Sequence, residues 1–415
     1  MANIRHGRLA SRSAWKTVGV GLAFAVGVAA VSGVAIAAYA GYDLVQTVKP
    51  TVKLESEKVL EGVPDVGAIP GGVNLLVIGS DSRQGQGDGF GDPDEETATL
   101  NDVTMLLHLS EDHSHVEVVS FPRDMLVDVP ECADPEDPSS TLSAESSVKI
   151  NTVLGRGGME CVAKTVESLV GVTIPFAGVV QFSGVAALSE AVGGVEVCVA
   201  EPIADEYTGT FLDPGTHTLS GMAALQFLRT RHGVGDGSDL GRISNQQVFL
   251  SALARKLQSQ GTLGDPVKLY AIARAALSNM QLSSALAAPT TMISIAKAMQ
   301  DVDLSRIAFI QYPTVILDGG SEVEPSPSAE LVRAALQQDL PVQLNPDAEI
   351  PFASGADPNQ PPATGDPAAP PADPTAPSES AEPTESAAPT PVEALPGDVS
   401  GQSAADVRCS VGNDG

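Results

Sequence analysis

The sequence is poor in basic residues. It holds 23 Lys+Arg against 52 Asp+Glu, which gives a formal net charge of -29 at pH 7. Non-specific binding to nucleic acid relies on a basic surface that displaces counterions from phosphates, so an acidic chain is poorly suited to it. We therefore expect no nucleic-acid partner. The few arginines become candidates for binding a specific anion.

Cysteine is also scarce, and no C-x-x-C pair is present that would suggest a metal or redox site. The four cysteines, Cys132, Cys161, Cys198 and Cys409, fit disulfides in an oxidising exterior. Sequence alone allows three ways of pairing them. Cys132 and Cys161 lie 29 positions apart in one loop-rich region, so we prefer that pair. Cys198 with Cys409 would then join the tail to the body.

Charge is absent from 26 consecutive residues, Thr17 to Tyr42. That length can span a bilayer. Four basic residues precede it: Arg5, Arg8, Arg12 and Lys16. The positive-inside tendency places them in the cytoplasm and the rest of the chain outside the cell, as a single-pass membrane protein. The alternative is a cleaved signal peptide, because Ala38–Ala40 reads "AYA", although this apolar run is longer than a usual signal core.

The composition divides the chain into six segments. They are a cytoplasmic N-terminus (1–16), a transmembrane anchor (17–42), a linker (43–69), a folded domain (70–340), a disordered Pro/Ala/acidic linker (341–396) and a C-terminal segment with Cys409 (397–415). The final segment is too short for a core of its own, so it must dock if it is ordered.

Strand-like runs alternate with helix-like stretches between 70 and 340, which predicts an α/β domain. The predicted strands are 73–79, 103–110, 115–121, 177–182, 195–199 and 306–312. The predicted helices are 160–170, 184–191, 221–228, 242–258, 266–276 and 285–299.

Acidic and basic residues flank the first three predicted strands. The short "SEDHSH" connection makes the second and third strands a hairpin. Asp102 precedes one strand and Arg123–Asp124 follows the other, so they meet at one edge of the sheet. If the first strand is also antiparallel to the second, Asp81 and Arg83 join them. Carboxylates from two strands are the ligands that Mg²⁺ takes together with water and phosphate.

A second cluster lies in "FLRTRHGVGDGSDLGRISNQQ" (227–247). Arg229 and Arg231 share a face only in an extended segment, so we expect the preceding helix to end before Arg229. Asp239 is a candidate N-cap of the next helix, on which Arg242 and Gln246 are i and i+4. Arginines at a helix N-terminus suit a phosphate, and planar guanidinium groups suit a pyrophosphate better than a carboxylate.

The sequence resembles the LytR-CpsA-Psr (LCP) family of cell-wall ligases, of the actinobacterial type. The resemblance covers about Val73 to Leu257 and rests on seven motifs in order: "NLLVIGSDSR", "NDVTMLLHLS", "VVSFPRDM", "KINTVLGRGG", "VESLVGV", "ALSEAVGGVEV" and "GMAALQFLRTRHGVGDGSDLGRISNQQ". One departure is Leu100-Asn101-Asp102, where many members read Arg-Ser-Asp.

The resemblance implies a mixed central β-sheet flanked by helices, with an apolar lipid pocket. It also implies Mg²⁺-dependent transfer of a glycopolymer from a polyprenyl-pyrophosphate carrier to a peptidoglycan hydroxyl. Asp81 and Asp102 match the magnesium ligands. The positions that match the pyrophosphate-binding residues are Arg83, Arg123, Lys149, Arg229, Arg231, Arg242 and Gln246, with Asp239 in support.

Three questions stay open at this stage. Asp124 and Asp239 are both candidates for the general base. A lipid pyrophosphate hydrolase that uses water as the acceptor is an alternative to the ligase. A non-enzymatic polyprenyl-lipid-binding regulator is a second alternative.

Overall fold

A computed structural model of the chain describes residues 14–63, 69, 71–86, 90, 94, 97–137, 139–259, 262, 264–318, 320, 322–345, 353–354, 395–396 and 399–413. The chain divides into two units, Met1–Thr47 and Val48–Gly415. In the first unit, helix α1 spans Ala14–Thr47. Its segment Val18–Thr47 has a mean hydropathy of 2.3 over 18 residues and none of that stretch is buried. The helix is therefore a candidate membrane anchor. Its orientation stays a prediction.

The second unit contains the other described helices and all of the described strands. The helices are α2 (Val153–Val170), α3 (Phe182–Ala191), α4 (Met222–Arg229), α5 (Asp239–Ser259), α6 (Pro266–Asn279), α7 (Pro289–Gln300) and α8 (Ala329–Gln337). The strands are β1 (Val73–Ser80), β2 (Asn101–Leu109), β3 (Val116–Phe121), β4 (Leu126–Val129), β5 (Cys132–Ala133), β6 (Thr141–Leu142), β7 (Glu145–Lys149), β8 (Phe176–Val180), β9 (Val195–Val199), β10 (Ile203–Asp205), β11 (Thr210–Leu212), β12 (Gly215–Leu219), β13 (Met280–Leu282), β14 (Ile307–Gln311), β15 (Thr314–Ile316), β16 (Val323–Pro325), β17 (Ala353–Ser354), β18 (Gly401–Ser403) and β19 (Cys409–Ser410).

The main sheet has seven strands in the order β13-β8-β1-β2-β3-β14-β18. β2 is antiparallel to both β1 and β3, as the hairpin argument predicted. β8 and β14 are parallel to their neighbours β1 and β3. The sheet is therefore mixed, and the predicted α/β class is confirmed.

Alternate residues of the central strands serve the two faces of this sheet. Leu76 and Leu106 belong to a buried core that also contains Val162 of α2 and Val332 of α8. The neighbouring positions, such as Val77 and Met105, point to the opposite face and line a cavity beneath α3, α4 and α5. The candidate site lies on this second face.

Several predicted helices differ from the observed ones at their ends. Helix α2 begins at Val153, seven residues before the predicted start, because it continues through a kink at Gly158 (φ 67°). That left-handed backbone favours glycine. Helix α7 begins at Pro289 rather than residue 285, since proline is well suited to a first helical turn. Sequence patterns locate such helices better than their ends.

The C-terminal segment docks on the second unit through two sheets. β18 pairs with β14 at the edge of the main sheet. β19 pairs with β9, beside a disulfide between Cys198 and Cys409, in a four-stranded sheet of order β12-β9-β19-β17. A second disulfide joins Cys132 and Cys161, as predicted. Most of the predicted linker (346–352 and 355–394) lies outside the described residues, but Ala353–Ser354 forms β17 and is not disordered.

Candidate active site

A cavity of about 350 Å³ opens between the main sheet and the helices α3, α4 and α5. That volume lies within the range of small-molecule sites, roughly 300–1,000 Å³. Its apolar lining includes Val77, Met105, Val180, Phe182, Leu225 and Leu228. Its polar lining includes Asp102, Arg123, Arg229, Arg231, Arg242 and Gln246. Six of the predicted site residues therefore share one space, although 144 positions separate Asp102 from Gln246.

Arg123 is the centre of an ion-pair network at this cavity. Its Nη1 donates to Asp102 Oδ1 at 2.7 Å, and its Nε lies 3.5 Å from Asp124 Oδ2 and 3.8 Å from Asp239 Oδ1. Burial opposes the charge of Arg123, but the carboxylates outweigh it, so the pKa of this guanidinium is raised. Arg123 stays charged and is fixed in position before any ligand arrives.

Asp239 orients two arginines instead of capping its helix. It is the first residue of α5, and Ser238 occupies the position before it, where its hydroxyl accepts a hydrogen bond from Gly241 N. The predicted N-cap is therefore wrong by one residue. Asp239 Oδ1 instead lies 2.5 Å from Arg242 Nη2 and Asp239 Oδ2 accepts from Arg123 N at 3.3 Å.

Arg242 and Gln246 lie on one face of α5, as their spacing predicted. Arg242 Nη2 donates to the carbonyl of Asp102 at 2.7 Å. Gln246 Nε2 donates to the carbonyl of Leu228 at 3.0 Å. These contacts tie α5 to the edge of β2 and to the end of α4. The Nε atom of Arg242 is buried and has no hydrogen-bond partner among the described residues, which suits an anionic ligand.

Arg229 is the last residue of α4, so the expectation that the helix ends before it is wrong. Thr230 N still donates to Gln226 O at 2.9 Å, which carries the helical turn one residue further. The Arg229 guanidinium lies 4.2 Å from the centre of the Phe182 ring, and that of Arg83 lies 5.2 Å from the same ring. Phe182 thus positions two arginines by cation–π contact. Sequence analysis did not single it out.

Arg231 is positioned by Asp205, a second residue that sequence analysis missed. Asp205 Oδ2 accepts from Arg231 N at 3.0 Å and from Thr230 Oγ1 at 2.7 Å. The Arg231 side chain donates from Nε to Gly237 O at 3.0 Å. Asp205 lies 26 positions before Arg231, in a stretch that looks like an ordinary acidic turn. No local pattern indicates its role.

The carboxylate of Asp81 is held by the backbone of Leu100. Asp81 Oδ1 accepts from Leu100 N at 2.7 Å, and Asp81 N donates to Leu100 O at 3.2 Å. Next to it, Asn101 Oδ1 accepts from Leu154 N at 3.1 Å and so caps α2. Leu100 and Asn101, which depart from the family pattern, therefore stabilise the structure through hydrogen bonds. These bonds do not need a charged side chain.

Asp81 and Asp102 fit a divalent cation chemically. Burial raises the pKa of Asp81, and the nearby Asp102 carboxylate adds to that effect, while the hydrogen bond from Leu100 opposes it. A cation beside the two carboxylates would offset both the cost of burying Asp81 and the repulsion between Asp81 and Asp102. Oxygen donors from aspartates, completed by water, are the usual Mg²⁺ environment.

Lys149 and Asp124 lie at the border of the network. Lys149 Nζ is 3.3 Å from Asp124 Oδ1 and 3.6 Å from Glu322 Oε1. Arg83 Nη1 donates to the carbonyl of Phe90. None of these predicted site residues is isolated, since each contacts the network or the Phe182 ring. Their roles stay predictions.

Comparison with known proteins defines the class. Residues 41–334 match the model of the LytR_cpsA_psr family. The chain therefore belongs to the LytR-CpsA-Psr family.

The chain is 28% identical over 282 residues to the cell wall biosynthesis protein LcpA of Corynebacterium glutamicum, covering 62% of this chain and 53% of LcpA. It is 33% identical over 203 residues to the probable cell wall biosynthesis protein LcpB of the same organism, covering 48% and 45% of the two chains. The chain thus spans about half the length of these relatives.

Among solved structures, protein gbs0355 of Streptococcus agalactiae matches with a TM-score of 0.50 at 21% identity, over 64% of this chain and 87% of the other. At that identity the likeness shows the fold alone.

Proposed function

We propose that this protein is a membrane-anchored phosphotransferase that moves a glycopolymer from a polyprenyl-pyrophosphate carrier to a hydroxyl of peptidoglycan. One observation carries the proposal: Arg123, Arg229, Arg231 and Arg242 line one cavity whose remaining wall is largely apolar. A lipid pyrophosphate has the matching combination of a concentrated negative charge and an apolar chain. The name of LcpA, a cell wall biosynthesis protein, adds support.

The reaction exchanges one phosphorus–oxygen bond for another. The acceptor hydroxyl oxygen bonds to the phosphorus that carries the glycopolymer, and the bond from that phosphorus to the bridging oxygen breaks. Polyprenyl phosphate leaves with the bridging oxygen, and the hydroxyl proton passes to a base. No nucleophilic side chain is required, because phosphoryl transfer depends mainly on positioning and on neutralising charge.

The arginines bind and orient the two phosphates. Arg123 and Arg242 are held by Asp102 and Asp239, so little reorganisation is needed when the ligand enters. Arg231 and Arg229 approach from the end of α4 and the loop that follows it. Asp239 Oδ1 pairs with the Arg242 guanidinium and Asp239 Oδ2 accepts from the backbone N–H of Arg123, so we assign Asp239 to positioning.

Asp81 and Asp102 would hold Mg²⁺ in this proposal. The ion would neutralise phosphate oxygens and so favour departure of the polyprenyl phosphate. The α1 helix would keep the enzyme in the bilayer that contains its donor, with the second unit outside the cell.

The test is a transfer assay with the full chain in detergent, a radiolabelled polyprenyl-pyrophosphate glycopolymer, Mg²⁺ and peptidoglycan. Arg229→Ala and Arg231→Ala should each reduce wall-linked label at least a hundredfold. Arg274→Ala is the matched control, because Arg274 is exposed on α6 and lies outside the cavity lining. Unchanged transfer by both site variants would remove the arginine pair from the mechanism.

The products separate this proposal from its two alternatives. Wall-linked polymer together with polyprenyl phosphate indicates the ligase. Free phosphorylated glycopolymer, with none attached to the wall, indicates a pyrophosphate hydrolase. Bound but unchanged donor, with binding independent of Asp81, indicates a lipid-binding regulator.

A further inference from the structure

A cluster of buried ionisable residues lies at the other end of the central strands and on the other face of the sheet. His108, His115 and Glu117 are 0%, 3% and 1% exposed. His108 and Glu117 are direct partners across β2 and β3. One potential ligand atom from each of the three residues lies within 4.8 Å of the others. The proposed transfer reaction makes no use of this cluster.

The hydrogen bonds around His108 define which of its nitrogens carries a proton. Asn74 Nδ2 donates to Thr173 O at 2.9 Å, which fixes the orientation of the amide. Asn74 Oδ1 therefore faces His108 Nδ1, at 2.8 Å, and accepts a hydrogen bond from it. His108 Nε2 lies 3.1 Å from Asp339 Oδ1. A proton on Nε2 satisfies this contact in the absence of a metal, and the same nitrogen can bind a metal when that proton leaves.

His115 and Glu117 each have a buried polar atom that lacks a hydrogen bond. His115 Nε2 and Glu117 Oε2 are 3.8 Å apart, and neither has a hydrogen-bond partner among the described residues. Glu117 Oε1 is engaged, since it accepts from Val342 N at 3.1 Å. An unpaired buried carboxylate is unfavourable, so a nearby cation would stabilise it.

We propose that His108, His115 and Glu117 bind a divalent transition metal of the zinc class, each through one ring nitrogen or carboxylate oxygen. Two imidazoles and one carboxylate, completed by water, are a suitable donor set for tetrahedral Zn²⁺. Asn74 acts behind His108 by holding its Nδ1 proton, as metal-bound histidines commonly require. Mg²⁺ prefers six oxygens and would not compete well here.

The site has a route to solvent and a structural role. The Asp339 side chain lies next to His108 and is 25% exposed, so the cation can enter from that side. His108, His115 and Glu117 all belong to the β2–β3 hairpin, so the metal would hold this hairpin together. This role is independent of the proposed transfer reaction.

Metal content is the primary test. The full chain in detergent is stripped with a chelator, incubated with Zn²⁺ in excess Mg²⁺, desalted and measured by mass spectrometry. We expect one zinc per chain in the wild type. Glu117→Gln keeps an acceptor for Val342 N but removes the charged ligand, so it should weaken zinc binding at least tenfold. His217→Ala, at a histidine of β12 outside the cluster, should retain the metal.

Two further measurements can refute the proposal. Asp81→Asn should retain the zinc, and loss of zinc in that variant would assign the metal to the candidate active site instead. Wild-type protein loaded with Co²⁺ should show the intense visible absorption of tetrahedral cobalt, which requires no variant to fold. Absence of that absorption, or equal zinc content in the wild type and Glu117→Gln, would overturn the proposal.

Discussion

A substitution of Asp205 is the sharpest test of what holds the loop that contains Arg231. Asp205 is 1% exposed and accepts four hydrogen bonds. Its Oδ1 accepts from the backbone N–H groups of Tyr207 and Thr208 at 3.0 and 3.3 Å. Its Oδ2 accepts from Thr230 Oγ1 at 2.7 Å and from Arg231 N at 3.0 Å. One carboxylate therefore joins β10 to the start of the loop that contains Arg231.

The substitution Asp205→Asn should destabilise the protein by about 3 kcal/mol. The amide keeps one oxygen for Tyr207 and Thr208, and the Thr230 hydroxyl can turn to accept from the new NH₂ group. Arg231 N then faces a donor and loses its partner. A hydrogen bond to a charged group contributes about 1.5–3 kcal/mol, and the bonds that remain lose the charge. Misplacement of Arg231 should also lower transfer at least tenfold.

The pH dependence of this effect has a defined sign. Burial alone would raise the pKa of Asp205, but the hydrogen bonds from Thr230, Arg231 and the adjacent backbone outweigh it, so the pKa is lowered in the folded state. The stabilisation is then fully present above the unfolded-state pKa of about 3.9 and is lost as the pH falls through the folded value. The difference between wild type and variant should be constant from about pH 5 to 8 and shrink below about pH 4.

Urea unfolding of the full chain in detergent, followed by far-ultraviolet circular dichroism, measures this difference. Tryptophan fluorescence is unsuitable because the one tryptophan, Trp15, belongs to α1. Asp213→Asn is the matched control, since Asp213 is exposed and close in sequence. A change in the free energy of unfolding within about 0.5 kcal/mol of that control would refute the reasoning.

Three further predictions concern other parts of the structure. Replacing Cys198 and Cys409 together by alanine opens a loop of 211 positions and should lower the free energy of unfolding by up to about 5 kcal/mol, measured by the same denaturation. Asp81→Asn retains the acceptor for Leu100 N but removes a charge, so the Mg²⁺ concentration that gives half-maximal transfer should rise at least tenfold. Phe182→Leu removes the ring beneath Arg229 and should weaken binding of a lipid pyrophosphate about twofold to fivefold, measured by titration calorimetry, from the cation–π contribution of about 0.5–1 kcal/mol.

Each of these predictions has a control or an outcome that would contradict it. For the disulfide, wild type and double variant should be equally stable when both are reduced, because reduction opens Cys132–Cys161 in each; equal stability of the two oxidised proteins would contradict the prediction. For Asp81, the exposed Asp318→Asn should leave the Mg²⁺ requirement unchanged, and an identical shift in both would exclude a specific role. For Phe182, retained affinity in the leucine variant would show that the ring does not position the arginines.

The meeting of Asp81, Asp102 and Arg123 at one edge of the sheet could be predicted from the sequence, because it depends only on strand direction. Once β2 is antiparallel to β1 and β3, Asp81, Asp102 and Arg123 must meet at one end of the sheet. The cavity on one face and the core on the other follow from alternation along the same strands. These features depend on local pattern and short connections, which a sequence reveals directly.

The sequence could not predict contacts between distant loops. Asp205 reaches Arg231 across a β-hairpin and α4, and Phe182 lies under two arginines that come from different parts of the chain. The docking of β19 beside β9 depends on a disulfide whose pairing was one of several alternatives. The wrong helix end at Arg229 and the wrong N-cap at Asp239 have a different cause, because local hydrogen bonds moved each helix end by one residue.

The most direct test of the central claim is a crystal structure of the protein with a polyprenyl pyrophosphate and Mg²⁺. The account predicts density for both phosphates within hydrogen-bonding distance of Arg123, Arg231 and Arg242, with the prenyl chain along the apolar lining that includes Met105 and Leu228. Lipid density on another surface, with these arginines making only their present contacts, would contradict it.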